Sequence, residues 1–187
     1  MNSYMIILFL HLVGMAALFF GYGLEWTGSS LLRGATTAGE ARAWLRIYRA
    51  SLPVSGPGLL LLLLTGFYLA GVNKMTKQGW VIATLIGILL ALVIGFGMLL
   101  PRFKKLRTAL PAEGTAALGG EVLGGARDPV IPTLIRIRTM LAIGIVYLMA
   151  AKPTLVPACV VLLAAIGVGV ILAAPAWSQR KEMENRK

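Results

Sequence analysis

The chain has 187 residues, of which 58% are hydrophobic and only 13% charged, and its mean hydropathy is +0.82. That balance excludes a water-soluble domain of this length and points to an all-α polytopic membrane protein. The net charge of +11 would suit nucleic acid, but the cations flank apolar runs, where membrane topology and anionic lipid headgroups account for them. No nucleic-acid partner is expected.

In chain order, four runs carry no charge: residues 1–24, 50–73, 78–101 and 153–179. A helix crosses a hydrocarbon core in about 20 apolar residues. Each run therefore predicts one span, at about residues 4–24, 54–73, 79–100 and 155–174. The first resembles a signal peptide in position only. Its leader MNSY has no Lys or Arg and no small-residue cleavage site follows, so it is expected to be retained.

Between the first two spans, TAGEARAWLRIYRAS reads as an amphipathic helix over residues 38–51. Thr37 and Glu40 have capping-box spacing. Ala41, Trp44, Leu45 and Tyr48 fall on one face, and Arg42, Arg46 and Arg49 on another. Such a helix is expected to lie flat on a leaflet, with docking of a partner protein as the alternative, and Pro53 is expected to end it. After the third span, PRFKKLR opens a connection that continues through the Gly- and Ala-rich AEGTAALGGEVLGGAR and is expected to be mobile. It is not a phosphate-binding glycine loop, because no strand precedes it and no Lys-Ser/Thr pair follows.

A fifth span over residues 131–151 must take in two arginines. Its charge-free part, Thr139 to Ala151, rises only about 20 Å, which does not cross, so Arg136 and Arg138 belong to the helix. With five spans, Lys74, Lys77 and Lys152 lie on one side and the other 15 of the 18 Lys and Arg on the opposite side. The positive-inside rule then places the N-terminus outside and the C-terminus in the cytoplasm. Gly87, Ala91 and Gly95 in the third span, and Ala165, Gly169 and Ala173 in the last, form small-xxx-small ladders suited to close helix approach. No internal repeat or intramembrane carboxylate cluster supports a transporter. Cys159 is the only cysteine and has no partner for a disulfide or a thiolate metal site.

His11, the only histidine, sits inside the first apolar run. An imidazole in lipid is costly unless it is paired, metal-bound or facing a polar cavity. Three readings stay open: a neutral ring bonded to a neighbouring carbonyl or hydroxyl, a haem or metal ligand, and a proton relay. Met15, one turn on, shares its face and cannot oppose it across a macrocycle, so it is read as core. A sixth haem ligand would come from elsewhere, with Met140 and Met149 as candidates. Arg136 and Arg138 point about 200° apart on a helix, so at most one faces inward. That one could meet Glu25, a haem propionate, a quinone oxygen or a lipid phosphate, and snorkelling by both is the alternative. Glu25 reads as an ordinary interfacial carboxylate. No residue set for catalysis is found.

The runs FLHLVGMAALFFGYG, WLRIYRASLPVSGPGLLLLLLTGFYLA, WVIATLIGILLALVIGFGMLLPRF and RIRTMLAIGIVYLMAAKP resemble a family of small uncharacterised bacterial inner-membrane proteins, a domain of unknown function. That family is similar in turn to the membrane-embedded haem-dependent protoporphyrinogen oxidases and to the membrane domain of copper-resistance protein D. The likeness covers about residues 4–153. It is carried by the histidine of the first span, an R-x-x-R before a proline-led second span with a T-G near its end, and a K-P closing a later span. The resemblance implies haem bound by His11. The lysine that assists in the oxidases would fall near Thr84, and the third span has none.

The reading is a single domain, residues 1–187, in the bacterial cytoplasmic membrane. It is non-enzymatic or at most haem-associated, with His11 as ligand of haem b and Arg136 or Arg138 as propionate or lipid partner. Lipids, further copies of the chain or a larger membrane complex are the expected partners. The alternatives are a cofactor-free accessory subunit of a respiratory or transport complex, and a haem- or quinone-linked oxidoreductase.

Overall fold

The computed structural model describes residues 3–184. Met1 and Asn2 of the leader, and Arg186 and Lys187 of the basic C-terminal cluster, lie outside the described residues. Among those described, five helical rods are long and apolar enough to cross a membrane, as expected. Helix α1 (Ser3–Gly34) and helix α2 (Ala38–Val72) form an antiparallel pair. The third rod is α3 (Gly79–Leu92), a π-helical segment (Val93–Leu99) and α4 (Leu100–Ala109) in continuous succession. A short α5 (Gly120–Ala126) precedes α6 (Val130–Ala151), and α7 (Leu155–Glu184) closes the chain.

The N-terminus of α2 forms for the reason its sequence gives. The Thr37 hydroxyl accepts the Glu40 N–H at 3.3 Å, and the Glu40 carboxylate accepts the Thr37 N–H at 3.3 Å. Two expectations fail beyond that cap. Pro53 does not end an interfacial helix over 38–51; Pro53 and Pro57 both lie inside one helix that runs on to Val72. Nor does the apolar face lie in lipid headgroups. Ala41, Leu45 and Tyr48 are buried against Phe103 and Leu106 of α4 and Ile135 of α6. An interior proline costs about 3 kcal/mol, whereas burying each large apolar side chain returns about 1.5–3 kcal/mol. Tertiary contact therefore carries α2 through the prolines.

The Gly- and Ala-rich connection is docked rather than loose. Ala38 N–H donates to Ala116 O at 2.9 Å, Gly39 N–H to Gly114 O at 2.8 Å and Leu118 N–H to Thr36 O at 2.8 Å. In the third rod, Pro101 has no N–H to give and would crowd the carbonyl four residues back. The widened π turn just before it, which carries Gly95 and Gly97, accommodates that.

Close backbone approaches define two halves. In the first, a Cβ on Gly14 would stand 2.9 Å from the Gly58 carbonyl, and one on Gly21 2.6 Å from Ser55 Cβ, so α1 and α2 touch along their length. In the second, Gly144 faces Ala165, Gly169 faces the Ile137 backbone, and Gly87 faces Ile145 and Leu162, which joins α3, α6 and α7. The halves meet mainly where α1 crosses α6, and at one end where α2 reaches α4. Helices α2 and α3, although joined by a short turn, scarcely touch.

The Gly169 ladder gives a direct test. Its Cβ would stand 2.6 Å from Ile137 Cα, so Gly169→Ala must push α7 off α6 and is expected to cost about 1–3 kcal/mol. The thermal unfolding midpoint in detergent should fall, while Gly71→Ala, which faces open space, should leave it unchanged.

Candidate functional site: a lateral cavity between two helix pairs

The gap between α2 and α3 is a cavity of about 530 Å³, with α1 and α6 as its floor. That volume suits a cofactor-sized molecule. Its walls are mostly apolar, and Phe67 of α2 and Leu85 and Phe96 of the third rod line it while remaining exposed, so it opens sideways toward lipid.

At one end stands His11, only 8% exposed. Thr65 Oγ1 lies 2.6 Å from the Leu61 carbonyl and gives its proton there. It therefore accepts from the His11 Nδ1–H at 2.9 Å. With the Thr65 proton placed on Leu61, the Nδ1–H tautomer is the one that satisfies this contact, and Nε2 then keeps its lone pair. A Cβ on Gly66 would stand 3.3 Å from His11 Cε1, so the glycine lets the ring lie against α2. Lys152 lines the same end; it caps α6 in the left-handed conformation (φ 48°), just before Pro153. His11, Gly66 and Lys152 thus line one cavity from α1, α2 and the end of α6, with Thr65 bonded to the histidine ring. Thr84 lines it from α3. Met15 and Met149 line it as well.

The opposite end is built around a buried ion pair. Arg138 of α6 pairs with Glu25 of α1, and the two residues are 7% and 1% exposed. The Ser51 hydroxyl of α2 lies 3.0 Å from Glu25 Oε1 and 2.7 Å from the Tyr48 carbonyl, so its one proton is shared between the two acceptors. The guanidinium lies 4.5 Å over the Tyr22 ring, a cation–π contact in a dry site. On the other side it presses on Gly95, where any side chain would collide with it. Glu25 is therefore no ordinary interfacial carboxylate, and Arg138 does not snorkel. Arg136, as the helical spacing requires, points elsewhere: it sits 5.3 Å over the Trp26 ring and does not line the cavity. Of the three residues singled out for a cofactor, the structure brings His11 and Arg138 to one cavity and leaves Arg136 outside it. Met140 is also outside it.

Sequence reasoning missed the hydroxyls. Thr65, Ser51 and Ser55 read as ordinary members of apolar helices, and only the T-G motif hinted at the first.

The ion pair gives a sharp expectation. Arg138→Met alone strands a buried carboxylate and should cost about 3–5 kcal/mol, and the double variant Glu25→Leu/Arg138→Met should recover most of that loss. Thermal unfolding in detergent measures both, and additive losses would contradict the pairing.

No curated protein and no solved structure is significantly similar to the chain. The family described as predicted integral membrane protein (DUF2269) matches residues 5–153, the stretch that holds His11, Thr65, Gly66, Thr84, Arg138 and Lys152. The chain belongs to that family.

Proposed function

We propose that this protein is a multi-pass protein of the bacterial cytoplasmic membrane that holds a lipid-soluble cofactor in its lateral cavity, with haem b bound through His11. One observation carries the reading. The Thr65 contact keeps the His11 proton on Nδ1 and so presents Nε2 as a ligating nitrogen, the arrangement that outer-sphere hydrogen bonds impose on metal-bound histidines. The likeness to the haem-dependent oxidases and the copper-resistance membrane domain agrees with it.

When bound, haem supplies an iron centre for electron transfer or for binding a small exogenous ligand. The chain's own residues do the rest. His11 binds, Thr65 orients it, and Gly66 gives the ring room. The apolar walls exclude water, and Lys152 offers a cation near the mouth for acidic substituents. Met149 is a candidate second ligand, since it reaches the cavity from α6 rather than α1. Met15 shares the face of His11 and is not. The Arg138 charge is already met by Glu25, which makes it a wall of the cavity rather than a propionate clamp. With the cationic ends in the cytoplasm, His11 lies toward the outer leaflet.

The absence of a lysine at Thr84 favours cofactor binding without oxidase turnover. The test is spectroscopic. Full-length protein purified in mild detergent after expression with ample haem should show a Soret band that His11→Ala abolishes. Thr65→Val should weaken haem affinity about 10–100-fold while the fold is kept. A wild-type protein without a Soret band would overturn the reading.

A further inference from the structure

The end of the cavity away from His11 holds hydroxyls that the protein does not use. Tyr22, Tyr48 and Ser55 line it and are only 6%, 4% and 8% exposed. Tyr22 meets Arg138 through the face of its ring, and Tyr48 meets Phe103 ring to ring at 3.8 Å, so neither contact employs the phenol oxygen. Ser55 faces Gly21 through its Cβ. Ser51, one turn away, does have partners: its hydroxyl lies within hydrogen-bond distance of Glu25 and of the Tyr48 carbonyl. Inside a bilayer an unpaired hydroxyl is costly, because no water replaces the missing partner. Three together at the end of a cavity point to a ligand that brings the missing partners.

The surroundings narrow its chemistry. Arg138 is neutralised by Glu25, so an anionic head would gain no free countercharge and would face a carboxylate. The ligand head is therefore neutral. Hydroxyls both donate and accept, which suits a group that presents carbonyl oxygens in one state and hydroxyls in another. Phe19, Tyr22, Tyr48 and Phe96 give aromatic walls for a flat ring. Because α2 and α3 scarcely touch, a long tail can pass between them into lipid.

We propose that this end of the cavity binds the head of an isoprenoid quinone or quinol, with Tyr22, Tyr48 and Ser55 as its hydrogen-bond partners and the tail leaving between α2 and α3. Tyr22 is 11 residues from His11 on α1, about 16 Å along the helix. The inference therefore stands independently of haem at His11.

The test titrates decylubiquinone against the cofactor-free full chain in phosphatidylcholine nanodiscs, read by intrinsic tryptophan quenching. Saturable quenching is expected, and n-decanol, which has a tail but no ring, should not displace the quinone. Tyr22→Phe/Ser55→Ala removes two hydrogen-bond partners but keeps the ring under Arg138, and should raise Kd about tenfold or more. Leu163→Ala on the exposed face of α7 should leave it unchanged. Tyr48→Phe alone carries the same expectation of weaker binding should the double variant fail to fold. Non-saturable quenching, an unchanged Kd in the folded variants, or displacement by decanol would overturn the proposal.

Discussion

The Glu25–Arg138 pair is the contact on which the rest of the molecule turns. Neither charge is tolerable alone in hydrocarbon, where the cost of stripping water from an unpaired ion exceeds any local packing gain. Together they form a neutral bridge between α1 and α6, and so between the two halves of the bundle. Neighbouring features follow from seating that bridge. The Ser51 hydroxyl lies beside the carboxylate, and Tyr22 offers its ring face to the guanidinium. Gly95 leaves room on the third rod within a π turn, a local widening that such segments supply at functional sites.

That single crossing also explains the cavity. Close helix contact in a membrane depends on small residues and polar pairs, because lipid tails cover apolar side chains as well as another helix does. α1 and α2 have Gly14, Gly21 and Gly58; α6 and α7 have Gly144 and Gly169. The facing sides of α2 and the third rod carry Leu63, Phe67, Leu85 and Phe96 instead, and nothing draws them together. The result is a slot with a lipid-facing mouth, a histidine toward one end and a neutral, hydroxyl-rich floor at the other. A lipid-soluble molecule can enter it without crossing water.

The two ends differ in what they offer. His11 has a lone-pair nitrogen whose tautomer Thr65 sets, which suits a metal centre. Tyr22, Tyr48 and Ser55 offer only hydrogen bonds, which suit an uncharged oxygen-bearing ring. Among the described residues the carboxylate in the cavity wall, Glu25, is already bound to an arginine.

Much of this was written in the linear order of residues. Four runs without charge marked four spans, since no other solvent accepts so much apolar surface, and the sorting of cations across the loops called for a fifth. The insufficient length of residues 139–151 forced Arg136 and Arg138 into a helix, and helical geometry required them to diverge. The Thr37–Glu40 cap is purely local and formed as its spacing dictates. Only the folded structure decided which arginine turned inward and that Glu25 meets it, because that choice depends on a helix more than a hundred residues away. It also decided that α2 continues through Pro53, since contact with α4 outweighs the proline. The pairing of His11 with Thr65 and the gathering of Tyr22, Tyr48 and Ser55 around one space belong to tertiary structure for the same reason: each side chain is unremarkable on its own helix and acquires a role from what faces it across the gap.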